Sequence, residues 1–490
     1  MIKKYILSGI LGGALLMGAT SCGEDFLDRK PLDTRMEDNF YQTESDAMEA
    51  LVAVYDVLQW QAVGPGPFNP VLMTLDIASG DTKKGGSGPA DLAYFQEFSD
   101  QNVTAENPVL VGWWEKYYSG IYRANLLLER IEGVSADSDF MERTKAEAKF
   151  LRAYYYFDLV RLFGNIPLIL EPLDPEEYVQ EQVNPQAIYN QIATDLLEAI
   201  KALPSTVVGE EIGRVTSHAA KALLAKAYLH HNADLVSAND GTVNKAKALA
   251  FLEEVIASGQ FDLVPNFADI WTLAGENNIE SVFEIQFSEH STWGDWGYLR
   301  GTDGNMSVAM QGIRGYTGED EEGYYSGWSF SVPKPELVAE YDNIDQRKVA
   351  TFINVEEELE PETYATDYPD YTGFYTRKYS ANGEHFGSEG DQNQNFKNNI
   401  RAIRFADVLL MAAELGSPQA NEYFNRVRRR AGLNEIDASL ENIKQERRLE
   451  FALEGLRYFD LVRWGEYAGP KYFKIPQREM DLSGGAFVQN

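Results

Sequence analysis

The densest hydrophobic pattern in the chain runs from Ala146 to Phe163, A-E-A-K-F-L-R-A-Y-Y-Y-F-D-L-V-R-L-F. It contains no Gly or Pro and is rich in Ala, Leu, Lys and Arg, so it predicts a helix. At 100° per residue its apolar side chains nearly encircle the axis, which is the pattern of a helix buried on several sides. Arg152, Asp158 and Arg161 interrupt that coat, and Asp158 and Arg161 are helical neighbours at i, i+3. Charges on a buried helix must be paired, so internal salt bridges are expected here. Six of these residues return later in the chain. Tyr156-Phe157-Asp158-Leu159-Val160-Arg161 recurs, 302 positions on, as Tyr458-Phe459-Asp460-Leu461-Val462-Arg463.

Other amphipathic stretches surround this one. Thr43 with Asp46 predicts a capping box, after which Met48, Leu51, Val52, Tyr55 and Leu58 share a helical face. A helix over 113–131 carries Trp114, Tyr117, Tyr118 and Ile121 at core spacing. Another, over 186–203, is stopped by Pro204. Ser217 is placed to cap a helix over 219–230, and a polar loop then leads to a second helix over 245–259. Small Ala220, Ala225 and Ala227 on the first permit close approach by Leu249, Leu252 and Val255 on the second. The pair resembles a tetratricopeptide hairpin.

From 262 to 395 the pattern changes to Gly, Tyr, Trp, Asp and Asn, with short strand-like pieces such as 281–287. So long a stretch with little regular structure is usually functional, or a set of excursions packed on a scaffold. Helical patterning resumes over 401–415 and 421–430. The tyrosines between Tyr364 and Tyr379 lead into a strand-like T-R-K-Y and read as structural. No linker or low-complexity tract divides the chain.

The run A-K-F-L-R-A-Y-Y-Y-F-D-L-V-R-L-F-G-N-I-P-L closely resembles the core signature of the SusD/RagB family, and R-R-L-E-F-A-L-E-G-L-R-Y-F-D-L-V-R-W-G, Arg447 to Gly465, resembles its C-terminal signature. The likeness is greatest at 146–170, 217–265 and 401–465. It implies a mainly α fold: a scaffold of tetratricopeptide-like helical hairpins with a large loop-rich, mixed α and irregular region packed on it. The implied division is a helical region over 22–265 and a C-terminal region over 266–490 carrying the ligand-binding insertions and closing helices. The family's members are surface lipoproteins of Bacteroidota that capture nutrients. The resemblance therefore implies a SusC-like TonB-dependent transporter as partner, with this chain as the lid over its mouth. Ser483-Gly484-Gly485 stands where the family commonly has Asn-Pro, so a docked tail is less directly implied.

The N-terminus agrees with an exported lipoprotein. Lys3 and Lys4 precede an apolar run, Tyr5 to Met17, and small residues 18–21 lead to Cys22, the only cysteine. This is the layout of a signal peptide over 1–21, with Cys22 as the lipidation site. Gly23-Glu24-Asp25 resembles the surface-export tag of Bacteroidota lipoproteins. Removing residues 1–21 takes 2 of the 43 basic residues and none of the 76 acids, leaving 41 against 76, a charge of −35. Such a surface repels phosphate backbones, which argues against nucleic acid as a partner.

Catalytic patterns are missing. The five histidines (His218, His230, His231, His290, His385) have no H-E-x-x-H spacing, and one cysteine makes no thiolate zinc site. There is no phosphate loop and no G-x-S-x-G elbow. His230 and His231 close a helix, where cationic rings suit the dipole. Glu319-Asp320-Glu321-Glu322 offers carboxylates for calcium but lacks EF-hand spacing, so a solvated acidic loop is the favoured reading and a calcium site the alternative. The sequence thus implies no cofactor, no metal and no enzyme. A glycoside hydrolase, or a relative that captures peptides or another nutrient, is the alternative.

A binding surface has more support. Residues 291–304 combine Trp293, Trp296 and Tyr298 with four glycines, Arg300 and two aspartates. Flat aromatic faces stack on sugar rings while polar side chains meet the hydroxyls. Tyr316 and Trp328, with Tyr324 and Tyr325, extend the candidate platform. Asp81, Lys83 and Lys84 lie where the resemblance implies a second wall of the ligand site. The expected ligand is an oligosaccharide.

Overall fold

The computed structural model describes residues 40–62, 68–289, 303–318, 323–385 and 390–490. The capping box forms as expected: the Asp46 amide donates to the Thr43 hydroxyl and the Thr43 amide to the Asp46 carboxylate, opening α1 (Glu44–Asp56). The buried face of α1 is Ala47, Ala50, Leu51 and Val54, while Val52 is 58% exposed. The expected face is thus corrected at Val52: the small alanines, rather than the larger side chains, set the contact stripe. After α2 (Val71–Ser79) and β1 (Thr82–Gly85) comes α3 (Pro108–Arg130), begun by an Asn107 cap and a proline in its first turn.

The predicted central helix is α4 (Ser138–Phe163), and from Ala146 onward nearly all of its side chains are buried. It crosses α3 at Gly120, where a Cβ would come within 2.4 Å of the Tyr155 ring. Helices α5 (Pro185–Ala202), α6 (Ser217–His231) and, after the ribbon β2 (Leu235–Ser237)–β3 (Gly241–Val243), α7 (Lys245–Ala257) then pack each on the one before. This series of hairpins is the tetratricopeptide-like scaffold. Two details differ from expectation. Thr216, not Ser217, accepts the capping hydrogen bond, and part of the expected polar loop is the β2–β3 ribbon.

The loop-rich half is tied back by short sheets. Strand β4 (Ser281–Ile285) leads to α8 (Met306–Gln311) and β5 (Phe330–Pro333), and β5 pairs antiparallel with β1. Strands β6 (Phe352–Asn354) and β7 (Phe374–Thr376) pair with each other, and β8 (Ile400–Arg404) pairs with β4. The helix expected from 401 therefore begins only at 405: residues 401–404 meet a partner strand, and tertiary pairing overrides their helical propensity. The chain closes with α9 (Phe405–Glu414), α10 (Ala420–Arg430), α11 (Leu440–Glu450) and α12 (Arg457–Trp464). One hydrophobic core runs through both halves, from Tyr41 to Ile475.

A buried charge cluster fastens the closing helices to the loop-rich region. Arg404 reaches Glu280 at 2.6 Å, Glu450 at 2.8 Å and Glu454 at 2.9 Å. Arg347 binds Glu446 at 2.6 Å and Glu450 at 3.0 Å, and Arg430 binds Glu450 at 2.5 Å. Burial alone would raise the Glu450 carboxyl, but Arg430, Arg404 and Arg347 outweigh it and hold it well below the usual range. The tail is docked. The Gln477 amide donates to the Ala105 carbonyl at 2.8 Å, the Val488 amide to Gln182 at 2.6 Å, and Phe487 lies 6.0 Å from Trp114.

Candidate ligand-binding face

Helix α8 is short, yet the chain converges on it. Gln61 donates to the Asn305 side-chain oxygen at 2.8 Å and accepts from the Ser307 amide at 2.8 Å. These bonds hold the flank of residues 63–67 at the start of α8. The Ser288 amide donates to the Asp303 carbonyl at 2.9 Å, closing the base of 290–302, and Lys397 meets Glu289 at 2.5 Å. The Asn305 amide donates to the Phe396 carbonyl at 2.6 Å, and the Lys397 amide to the His385 carbonyl at 2.7 Å. Gly304 permits this approach, since a Cβ there would lie 2.0 Å from the Gln394 carbonyl oxygen. Residues 323–325 pair with 381–383 through Gly383 to Gly323 at 2.8 Å and Tyr325 to Ala381 at 2.8 Å. The flanks of 63–67 and 290–302 are thus braced at the start of α8, and those of 319–322 and 386–389 are braced against each other and against Lys397.

Trp293, Trp296, Tyr298 and Arg300 lie outside the described residues, as do Cys22, His290 and the acidic run 319–322. Trp328 is half-buried, its ring edge-to-face with Phe68 at 5.5 Å. Its amide donates to the Ala309 carbonyl of α8 at 3.0 Å, and its carbonyl accepts from Arg314. Arg314 also donates to Ser329 at 2.8 Å and lies 3.6 Å from Asp91. Tyr316 is buried, edge-to-face with Tyr324 at 6.2 Å, and the Tyr324 hydroxyl accepts from Arg377 at 2.6 Å. Tyr325 is half-buried against Phe396 at 6.2 Å.

The residues of the expected second wall have partners within the fold. Asp81 is buried and accepts from Arg448 at 2.7 Å, and the Lys84 ammonium is buried and donates to the Gly88 carbonyl at 2.8 Å. Burial lowers the Lys84 pKa, against the pull of Asp91 and Asp370. Asp81 ties α11 to the start of β1, and Lys84 braces the turn after it. The sequence reading missed Phe68, Arg314 and Asp91. Phe68 follows Gly64-Pro65-Gly66-Pro67, whose composition is a turn signal in the sequence; the other two carried none. Tyr368, Tyr375 and Tyr379 are core residues, as expected.

His230 departs from the reading of a cationic helix end. Burial, with Arg161 and Arg463 nearby, holds its pKa well below the ordinary value, so the ring is neutral at pH 7. His231 is shifted down as well, by burial first, and stacks on Tyr189 with ring centres 4.4 Å apart. Among the described residues no three His, Cys, Asp or Glu side chains gather as a metal-binding set. Among them, too, no helix is long and apolar enough to cross a membrane.

Residues 25–229 match a family model described as "Starch-binding associating with outer membrane", and residues 368–486 match that of the SusD family. A SusD-like protein of Bacteroides ovatus is 28% identical over 96% of this chain and 84% of its own. SusD-like protein P25 of Formosa agariphila is 26% identical over 92% of this chain and 88% of its own. Among solved structures, a laminarin binding SusD-like protein superposes with a TM-score of 0.83 at 34% identity, covering 92% of this chain and 99% of that one. Surface glycan-binding protein A from Bacteroides thetaiotaomicron, in complex with laminarihexaose, gives 0.82 at 31% identity over 92% of this chain and all of its own. With a relative this similar along nearly the whole length and the helical scaffold in common, the chain belongs to the SusD family.

Proposed function

We propose that this protein is a non-catalytic, cell-surface glycan-binding lipoprotein that captures an oligosaccharide and delivers it to a SusC-like TonB-dependent outer-membrane transporter. The observation that carries the reading is the end-to-end likeness, at 31% identity and a TM-score of 0.82, to a protein solved with laminarihexaose. Laminarin-type oligosaccharides are accordingly the first ligands to test. The bracing of the flanks of 63–67 and 290–302 at the start of α8 supports the same reading, because a recognition surface needs a rigid base. Trp293, Trp296, Tyr298 and Arg300, together with Trp328 and Tyr316, are the proposed contact set.

In this account residues 1–21 are removed, Cys22 carries the lipid, and the acidic body stands off the membrane. The transporter partnership rests on the family resemblance. A binding panel of laminarin, starch and peptides, run on the purified protein with product analysis, tests the reading. Saturable binding of a glycan with no shortened product supports it. Turnover would make the protein a hydrolase, and binding of peptides alone would make it a peptide-capture relative.

A further inference from the structure

A cavity of about 200 Å³ lies away from the α8 face, where the two copies of the hexapeptide meet. Its wall carries Arg161 from the first copy, Arg463 from the second, His230 and His231 from the end of α6, and Lys471 with Tyr472 from the closing segment. Among the described residues lining it there is no Asp or Glu, in a chain with 76 acids against 43 bases.

The hydrogen bonding leaves donors over. The Arg161 guanidinium, which also lines a neighbouring cavity beside Asp158, gives its Nε to the Phe157 carbonyl and one terminal nitrogen to Asp158, while its Nη1 is buried and has no hydrogen-bond partner among the described residues. Arg161 is only 9% exposed, so an unmet donor there is not excused by bulk water. Arg463, by contrast, is saturated by Glu414 and Asp460. Lys471 is exposed and has no ion pair among the described residues; its ammonium lies 5.0 Å from the Tyr472 ring. Among the described residues no hydrogen bond engages either ring nitrogen of His230, whose ring is held edge-on by Phe157 at 5.2 Å and Phe459 at 5.9 Å.

Helix C-termini alone account for basic side chains, which are favoured beside the last carbonyls. They do not account for a cavity lined by two arginines, a lysine and two neutral imidazoles with no carboxylate among its described lining residues. We propose that this cavity binds one small oxyanion, a phosphate, sulfate or carboxylate group, between Arg161, His230 and Lys471; His231 lines the wall with its Nε2 held by the Gln186 side chain at 2.8 Å. The volume admits either a free inorganic anion or the carboxylate of an acidic sugar. The assignment stands apart from the glycan reading of the α8 face.

The test is calorimetric titration of the purified full chain with sodium phosphate, sodium sulfate and sodium glucuronate. Sodium chloride holds the ionic strength constant, and glucose serves as the neutral control. One saturable site is expected, weakened about tenfold or more in Lys471→Gln and in His230→Phe, as for loss of a charge-assisted hydrogen bond. Laminarihexaose affinity is expected to stay unchanged in both variants. Lys471 is exposed, so Lys471→Gln leaves the fold intact and the result readable. Binding of the inorganic anions names a free anion as the occupant, and binding of glucuronate alone names an acidic sugar. No saturable binding of any of the three, or binding undiminished in both variants, overturns the proposal.

Discussion

The Arg161 guanidinium lies 3.7 Å from the centre of the Phe459 ring, and 3.8 Å from that of Phe157 on its other face. The two copies of the hexapeptide therefore pack against each other through one arginine, which also pairs with Asp158. In the second copy Asp460 is held by Arg447 at 2.9 Å and Arg463 at 2.8 Å. Arg161→Ala would strand the Asp158 carboxylate and empty the space between two aromatic rings. A loss of about 3–5 kcal/mol is expected, read as a lower midpoint in urea, with glycan affinity of the folded fraction intact. Arg161→Lys should recover little of it, because a lysine cannot reproduce a planar stacked fork.

Asp76 carries the pH dependence most worth measuring. It is buried on α2, accepts from the Gly455 amide at 3.0 Å, and leaves its second oxygen without a partner. Burial raises its pKa well above the ordinary carboxyl value, and Asp81 and Glu454 add to the rise. A group whose folded pKa is raised contributes stability below the unfolded pKa of about 4 and loses it as pH rises through the folded value. Asp76→Asn should therefore match wild type near pH 4 and be the more stable near pH 8. Urea denaturation at both values checks the crossover.

Asp81 tests whether the wall after α2 is architecture. Its partner Arg448 also reaches Glu340 at 3.1 Å, so the pair is part of a chain of charges. Asp81→Asn should cost about 1–3 kcal/mol of stability and leave ligand affinity unchanged. A fall in affinity at unchanged stability would return Asp81 to the ligand site.

Much of this was legible in the sequence, for identifiable reasons. Helix α4 declared itself because an all-round apolar coat broken by Arg152, Asp158 and Arg161 has few other solutions. Those charges are indeed paired, Arg152 with Asp195 at 2.7 Å. The Thr43–Asp46 box was readable because capping is local. Residues 401–404 were not, since their strand state depends on Ser281–Ile285, over a hundred positions earlier. Asp81 and Lys84 offered charge in a glycine-rich loop, and only the packing of Arg448 and the turn at Gly88 shows where that charge is used. Arg314 and Asp91 meet through folding alone and left no pattern along the chain.

The anchor has its own test. Cys22→Ser should move the protein from the membrane fraction to a soluble one in cells lacking the transporter, because a single lipidation site holds the account's only membrane attachment and acyl chains supply the affinity. Membrane association unchanged by that substitution would mean another anchor.

The most direct test of the glycan-binding account is calorimetric titration of laminarihexaose into wild type, Trp293→Ala and Trp296→Ala, with melting temperatures taken in parallel. A stacked ring contributes on the order of 1–3 kcal/mol, so the account predicts saturable binding to wild type and a loss of roughly 5- to 150-fold in each variant, with melting nearly unchanged. Full affinity in both variants with a depressed melting temperature, or no binding of laminarihexaose or any other glycan to wild type, would contradict it.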